Sequence, residues 1–201
     1  MHLICLDLEG VLVPEIWISF AEYTGIAEFR KTTRDEPDYN KLMLYRLDLL
    51  SKNNLKLPDI KKVIGTMEPL PGAGDFFKRL RERTQVIILS DTFVEFAMPL
   101  MKKLEYPTLF CNSLVTREDG TISNYKLRQD KGKKSAIIAF KSLGFNVFAA
   151  GDSYNDLEML EAADSGCLFR SPRAIRESHP QFPCADSFKD LDNIIDSFLA
   201  G

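Results

Sequence analysis

Short apolar runs that break off into polar, acid-bearing turns recur along the chain. Leu3-Ile4-Cys5-Leu6 leads into Asp7-Leu8-Glu9-Gly10, Val86-Ile87-Ile88-Leu89 into Ser90-Asp91, and Val147-Phe148-Ala149-Ala150 into Gly151-Asp152. Unbroken apolar runs of this length mark strands buried on both faces. Helical patterns separate them, which predicts an α/β fold with a mainly parallel sheet. In such sheets ligands bind beyond the carboxyl ends of the strands, where all three polar clusters fall. The stretch from Glu15 to about Met67 differs: its pattern is helical, and Pro69, Pro71, Gly72 and Gly74 close it. It predicts a helical cap over 15–69, inserted after the first strand, with 1–14 and 70–201 as the core. Around Leu114–Leu127, Glu118-Asp119-Gly120 divides two strand-like pieces and predicts a hairpin.

Each cluster carries candidate chemistry beside a plainer alternative. Asp7 and Glu9 suit a nucleophilic carboxylate and an acid–base partner, with Gly10 letting the chain turn. Alone, such a pair is more often two solvated turn acids. Ser90-Asp91-Thr92 is expected to open a helix from Phe93, where a hydroxyl and free amides make an anion site or an ordinary cap. Asp156 precedes Met159 and Leu160 by three and four residues, which turns it inward. A carboxylate there needs a partner, either a metal shell or a buried cap. Lys133 lies three, four and seven residues before Ala136, Ile137 and Phe140, in a pattern that also takes in Leu143. It is the lysine expected to offset the charge of a phosphate and Asp7, whereas Lys134 aligns with Ile138 and Lys141 nearer the edge of the face.

Composition narrows the class. A net charge of −3 is too small and too mixed for a nucleic-acid or polybasic membrane surface. No apolar stretch approaches the ~18 residues of a membrane span, and no secretory leader pattern opens the chain. The cysteines, Cys5, Cys111, Cys167 and Cys184, are widely spaced without a CxxC pair, and only His2 and His179 could join them on zinc. A reducing cytoplasm is the expected location, with Cys5 a small core residue.

Taken in order, Asp7-x-Glu9-Gly10, Ser90, a later lysine and Gly151-Asp152-x-x-x-Asp156 resemble the haloacid dehalogenase superfamily over nearly the whole chain. The position of the cap resembles the phosphoserine phosphatases. Cys5-Leu-Asp-Leu-Glu-Gly-Val-Leu-Val-Pro-Glu-Ile-Trp17 and Ala149-Ala-Gly-Asp-Ser-Tyr-Asn-Asp156 resemble their bifunctional branch, which also transfers phosphate to homoserine. The resemblance implies a Rossmann-like core, Asp7 and Glu9 as catalytic residues, and Mg²⁺ held by Asp7, the Glu9 carbonyl and Asp152, with Asp156 as support. It implies Ser90 and Lys133 on the phosphoryl group, and Asp91 and Asn155 among the substrate-binding residues. Glu9 stands where the superfamily usually has Asp, a feature shared with the bifunctional branch.

The resemblance also implies that Glu15 and Arg46 hold the ammonium and carboxylate of phosphoserine. For Arg46 the helical pattern agrees. On a helix through 39–52 it projects opposite Lys41, Asp48 and Lys52, among Leu42, Met43 and Leu50. A guanidinium there needs an anion, either a ligand carboxylate or a cap acid. Glu15 could otherwise be a first-turn helix acid. Competing readings are a phosphatase for another small metabolite and a receiver-like phospho-switch. The switch is disfavoured by the first-strand Asp and the long cap, and a dinucleotide enzyme by the lack of a Gly-rich turn.

Overall fold

The computed structural model describes residues 1–33, 35–36 and 38–201. Its centre is β1 (His2–Leu6), flanked in parallel by β2 (Gln85–Phe93) and β5 (Asn146–Gly151). Outward from β2 lie β3 (Thr108–Thr116) and the antiparallel β4 (Ile122–Lys126); outward from β5 lie β6 (Ser165–Phe169) and the short β7 (Cys184–Ala185). The resulting order is β4-β3-β2-β1-β5-β6-β7. The register positions the chemistry. Leu6 pairs with Ile88 and Ala150, so Asp7, Ser90 and Asp152 all emerge at one edge of the sheet.

Alternation along the strands fills two cores. Ile4, Leu6, Phe148 and Ala150 face one side; Leu3, Cys5, Val147 and Ala149 face the other. The second side is covered by α6 (Gly132–Ser142), α7 (Leu157–Ala162) and α8 (Arg173–Ser178). The first is covered by α4 (Ala73–Arg83), α5 (Val94–Lys103) and α9 (Phe188–Ala200). Three further helices, α1 (Ile16–Thr24), α2 (Tyr39–Lys52) and α3 (Leu57–Thr66), follow β1, with a 3₁₀ turn at Ala27–Arg30. Their apolar faces join the first core: Trp17, Phe20, Met43, Ile60 and Ile64 belong to the same cluster as Phe96 and Leu6. The inserted helices thus share the hydrophobic core of the sheet. They also rest on the β3–β4 hairpin, where the Leu57 amide donates to the Gly120 carbonyl at 3.0 Å and Lys56 pairs with Asp119 at 2.8 Å.

Three local expectations change. Ser90-Asp91-Thr92 does not open a helix; β2 continues through it to Phe93, and α5 begins at Val94 with no side-chain cap. Pairing of Phe93 with Asn112 across a register shift after Leu89 keeps this segment extended. The hairpin pairs from Ser113 to Lys126 about as expected and turns where Gly120 has φ +84°, but its first strand extends back to Thr108 to pair in parallel with β2. Leu143 lies just past the end of α6 and is 72% exposed, so the buried stripe ends at Phe140.

Candidate active site

The turn after β1 sets the first acid in place. The Asp7 amide donates to the Ala150 carbonyl at 3.0 Å, and Asp7 Oδ1 accepts from the Leu8 amide at 2.7 Å. Gly10 then adopts φ +77°, and a Cβ on it would lie 2.5 Å from the Asp152 carboxyl carbon. Glycine is therefore required both by the turn and by the close approach of Asp152 to it. Glu9 swings back toward the helices, its Oε2 accepting from the Ile16 amide at 2.8 Å at the start of α1.

Lys133, in the first turn of α6, reaches into this cluster. Its Nζ lies 2.7 Å from Asp156 Oδ1, 3.0 Å from Asp7 Oδ1 and 3.5 Å from Asp91 Oδ2. Asp156 is fully buried, and its Oδ2 accepts from the Asp152 and Ser153 amides at 3.0 and 3.1 Å. It braces both Lys133 and the loop that carries Asp152. The inward phases inferred for Lys133 and Asp156 both hold. Asn155 donates to Asp91 Oδ2 at 2.8 Å and accepts from the Ser153 hydroxyl. Ser90 Oγ accepts from the Thr92 amide at 3.2 Å, while the Asp91 carbonyl takes bonds from Tyr39 at 2.9 Å and Asn112 at 3.0 Å.

The electrostatics follow from this crowding. Burial and the Asp156 charge push the Asp7 carboxyl well above the usual range, with Lys133 opposing. Burial also raises Glu9, against the Ile16 amide and Thr92 hydroxyl that favour its charged form. For Lys133, burial works against the cation, but Asp156, Asp7 and Asp91 outweigh it and raise the pKa well above the ordinary lysine value. Asp7, Asp152 and Asp156 bring carboxylate oxygens within 4.8 Å of one another. Such buried acids against one lysine fit a hard divalent cation, which would supply the missing positive charge.

Asp7, Glu9, Glu15, Arg46, Ser90, Asp91, Lys133, Asp152 and Asn155 all line one cavity of about 80 Å³. Asp156 lies beneath it. A larger cavity of about 330 Å³ opens alongside and shares Tyr39, Ser90, Asp91, Lys133 and Asn155. Arg46 sits at the helical end, buried on α2 with Leu42, Met43 and Leu50. Burial lowers its pKa to about 10, opposed by Glu9, Tyr39 and Glu15. Sequence reasoning missed Tyr39, Thr32 and Thr33 in the lining. Tyr39 precedes Arg46 by seven residues on α2, so helix phase could have found it; the two threonines lie in irregular chain that carries no periodic signal.

A buried carboxylate at the end of the central strand, a second acid two residues on, a lysine from the start of α6 and the acid loop after β5 make up one acidic centre. The chain belongs to the haloacid dehalogenase-like hydrolase family, whose model matches residues 1–164. It is 54% identical over 191 residues to a Pseudomonas syringae pv. tomato protein named phosphoserine phosphatase, covering 95% of this chain and 81% of that one. It is 53% identical to a Pseudomonas aeruginosa protein named phosphoserine phosphatase ThrH, covering 95% and 93%. Among solved structures, a phospho-aspartyl intermediate analogue of phosphoserine phosphatase superposes with TM-score 0.79 at 21% identity, covering 98% of both chains. The phosphoserine phosphatase of T. onnurineus gives 0.75 at 24%, covering 96% and 94%. These structural likenesses establish the fold.

Proposed function

We propose that this chain is a phosphoserine phosphatase working through an aspartyl-phosphate on Asp7. The observation that carries the reading is the buried Asp7 carboxylate at the sheet edge, held 3.0 Å from Lys133 and two residues before Glu9. An Asp7 oxygen attacks phosphorus, and the bond from phosphorus to the serine oxygen breaks. Glu9 gives its proton to that oxygen; burial raises its pKa, the direction that favours a proton donor. Water then attacks the phosphoenzyme, returns a proton to Glu9 and frees Asp7. Lys133 and Ser90 hold the phosphoryl oxygens, with Asp91 and Asn155 fixing the adjoining wall. Mg²⁺ fits the donor set of Asp7, the Glu9 carbonyl and Asp152, with Asp156 in support, and would offset the charge that develops on the phosphoryl group.

In this reading, residues 15–69 form a cap that supplies the amino-acid end. Glu15 takes the ammonium and Arg46 the carboxylate, as a buried guanidinium suits. A cytoplasmic location agrees with four free thiols, and among the described residues no helix is long and apolar enough to cross a membrane. The test is phosphate release from a panel of phosphomonoesters with and without added Mg²⁺. Phosphoserine should lead the panel and lose its turnover in excess chelator. Equal turnover of esters lacking ammonium and carboxylate would overturn the substrate assignment.

Transfer of the phosphoryl group to homoserine is the second part of the reading. Glu9 reaches one methylene further than the usual aspartate, and homoserine exceeds serine by the same increment. A pocket discriminates one methylene by only about 1–3 kcal/mol, so homoserine should compete with water at Asp7. Phosphoserine and millimolar homoserine should yield phosphohomoserine without ATP. Normal phosphate release with no such product by mass spectrometry would leave a phosphatase alone.

A further inference from the structure

Arg46 is unusual among the buried charges because its hydrogen bonds do not go to a carboxylate. One terminal nitrogen donates to the Lys31 carbonyl at 2.9 Å, and the other faces the Met43 sulfur at 3.8 Å. Its Nε is buried and has no hydrogen-bond partner among the described residues. A buried N–H donor left unpaired is costly, and Arg46 lines the cavity, so this guanidinium has hydrogen-bonding capacity left for an anionic ligand. What holds the group in that attitude lies beneath it. The guanidinium carbon sits 4.6 Å from the centroid of the Trp17 ring, over its face.

Trp17 is itself locked. Its indole stacks on Phe29 at 5.7 Å and 21°, and meets Phe20 and Phe96 edge-on at 6.2 and 5.6 Å. These rings come from α1, the 3₁₀ turn and α5, so the platform joins the inserted helices to the sheet side of the core. Only 6% of Trp17 is exposed, yet it lines the reaction cavity. An aromatic face attracts a guanidinium most strongly where water is excluded, and it leaves the in-plane N–H groups free to bond.

We propose that Trp17 is a positioning residue for Arg46: it fixes the plane of the guanidinium at the cavity wall so that its N–H groups meet the substrate carboxylate, and so helps select α-carboxylated phosphomonoesters. This rests on the reading that Arg46 binds that carboxylate. An aliphatic side chain at position 17 could fill space but would leave the guanidinium pivoting on its bond to the Lys31 carbonyl, with no ring face to fix its plane. A phenyl ring would keep the platform.

Trp17 is the only tryptophan in the chain, so its emission reports on this pair directly. In Asp7→Asn protein, which binds without turnover, phosphoserine should shift Trp17 emission, and phosphoethanolamine, which lacks the carboxylate, should do so much less. In otherwise native protein, Trp17→Leu should raise KM for phosphoserine about tenfold with little change in kcat, and raise KM for phosphoethanolamine several-fold less than that. Trp17→Phe should recover most of the loss. Equal losses on both esters, or emission indifferent to the carboxylate, would overturn the proposal. If Trp17→Leu does not fold, the emission titration and Trp17→Phe decide. The parent reading fails separately: Arg46→Ala would then leave the preference for phosphoserine intact. If Arg46→Ala abolishes that preference while Trp17→Leu preserves it, Arg46 keeps its role and Trp17 loses its own.

Discussion

At the sheet edge Lys133 meets three carboxylates within 3.5 Å, and acids outnumber the cation. At the helical end Arg46 is buried with its bonds spread over a carbonyl and a sulfur, and its Nε has no partner among the described residues. The first region is built from strand ends and the start of α6, fixed by sheet register; the second from the faces of α1 and α2. On the proposed function, the difference separates chemistry from choice of substrate. An excess of buried acid calls for a cation, which can then hold a phosphoryl group whichever ester brings it. A buried guanidinium without a carboxylate bond calls for a particular anion. Changes at the sheet edge should therefore harm every substrate, and changes at the helical end should alter preference.

The largest expected effect is that of Asp7→Asn. Turnover of every phosphomonoester should fall by about 10⁴-fold or more, because the covalent route is lost. Near-native phosphate release from a folded Asp7→Asn protein would remove the distinction at its root. Next, Lys133→Ala should cost about 10²–10³ in kcat on all esters. Lys134→Ala, which changes a partly exposed lysine, should stay within about twofold. Thermal melts of both variants are needed, since removing Lys133 leaves Asp156 and Asp7 facing each other without it. A folded Lys134→Ala protein with the larger loss would contradict the assignment.

Arg46→Ala sharpens the other half. Losing a charge-assisted hydrogen bond of roughly 1.5–3 kcal/mol should lower the preference for phosphoserine over phosphoethanolamine by about one to two decades. An equal loss on both would make Arg46 a structural residue. The smallest effect is on stability. Asp7 and Glu9 have raised pKa values in the fold, so the folded chain keeps protons that the unfolded chain has released. Metal-free stability should then decline as pH rises from the ordinary carboxylate range toward the raised values. A bound divalent cation favours the deprotonated acids and should reverse this. At a hundredfold excess over Kd, Mg²⁺ should add about 2.7 kcal/mol, or roughly 5–10 °C in Tm, near pH 7.5 and clearly less near pH 5. Equal shifts at both pH values would contradict a metal site built on these acids.

The sheet-edge region was the more legible in sequence, because register and helix phase are local signals. Apolar runs located β1, β2 and β5, and counting residues along α6 and α7 turned Lys133 and Asp156 inward as the structure does. The same counting failed at Leu143, which has the right phase but lies beyond the last helical residue. It also failed at Ser90-Asp91-Thr92, where a pattern typical of a helix start is overruled by pairing with β3, a contact from elsewhere in the chain. At the helical end, phase found Arg46. The apposition of Trp17 and Arg46 joins two helices through tertiary packing, which no periodicity within either could reveal.

The central claim is that phosphorus passes through Asp7. Rapid acid quench of the native protein with phosphoserine and Mg²⁺, followed by peptide mass spectrometry, tests it most directly. One phosphoryl group on the peptide containing Asp7, formed within a turnover and absent in Asp7→Asn, is the expected result. Full turnover with no phosphorylated peptide, or with the group on another residue, would contradict it.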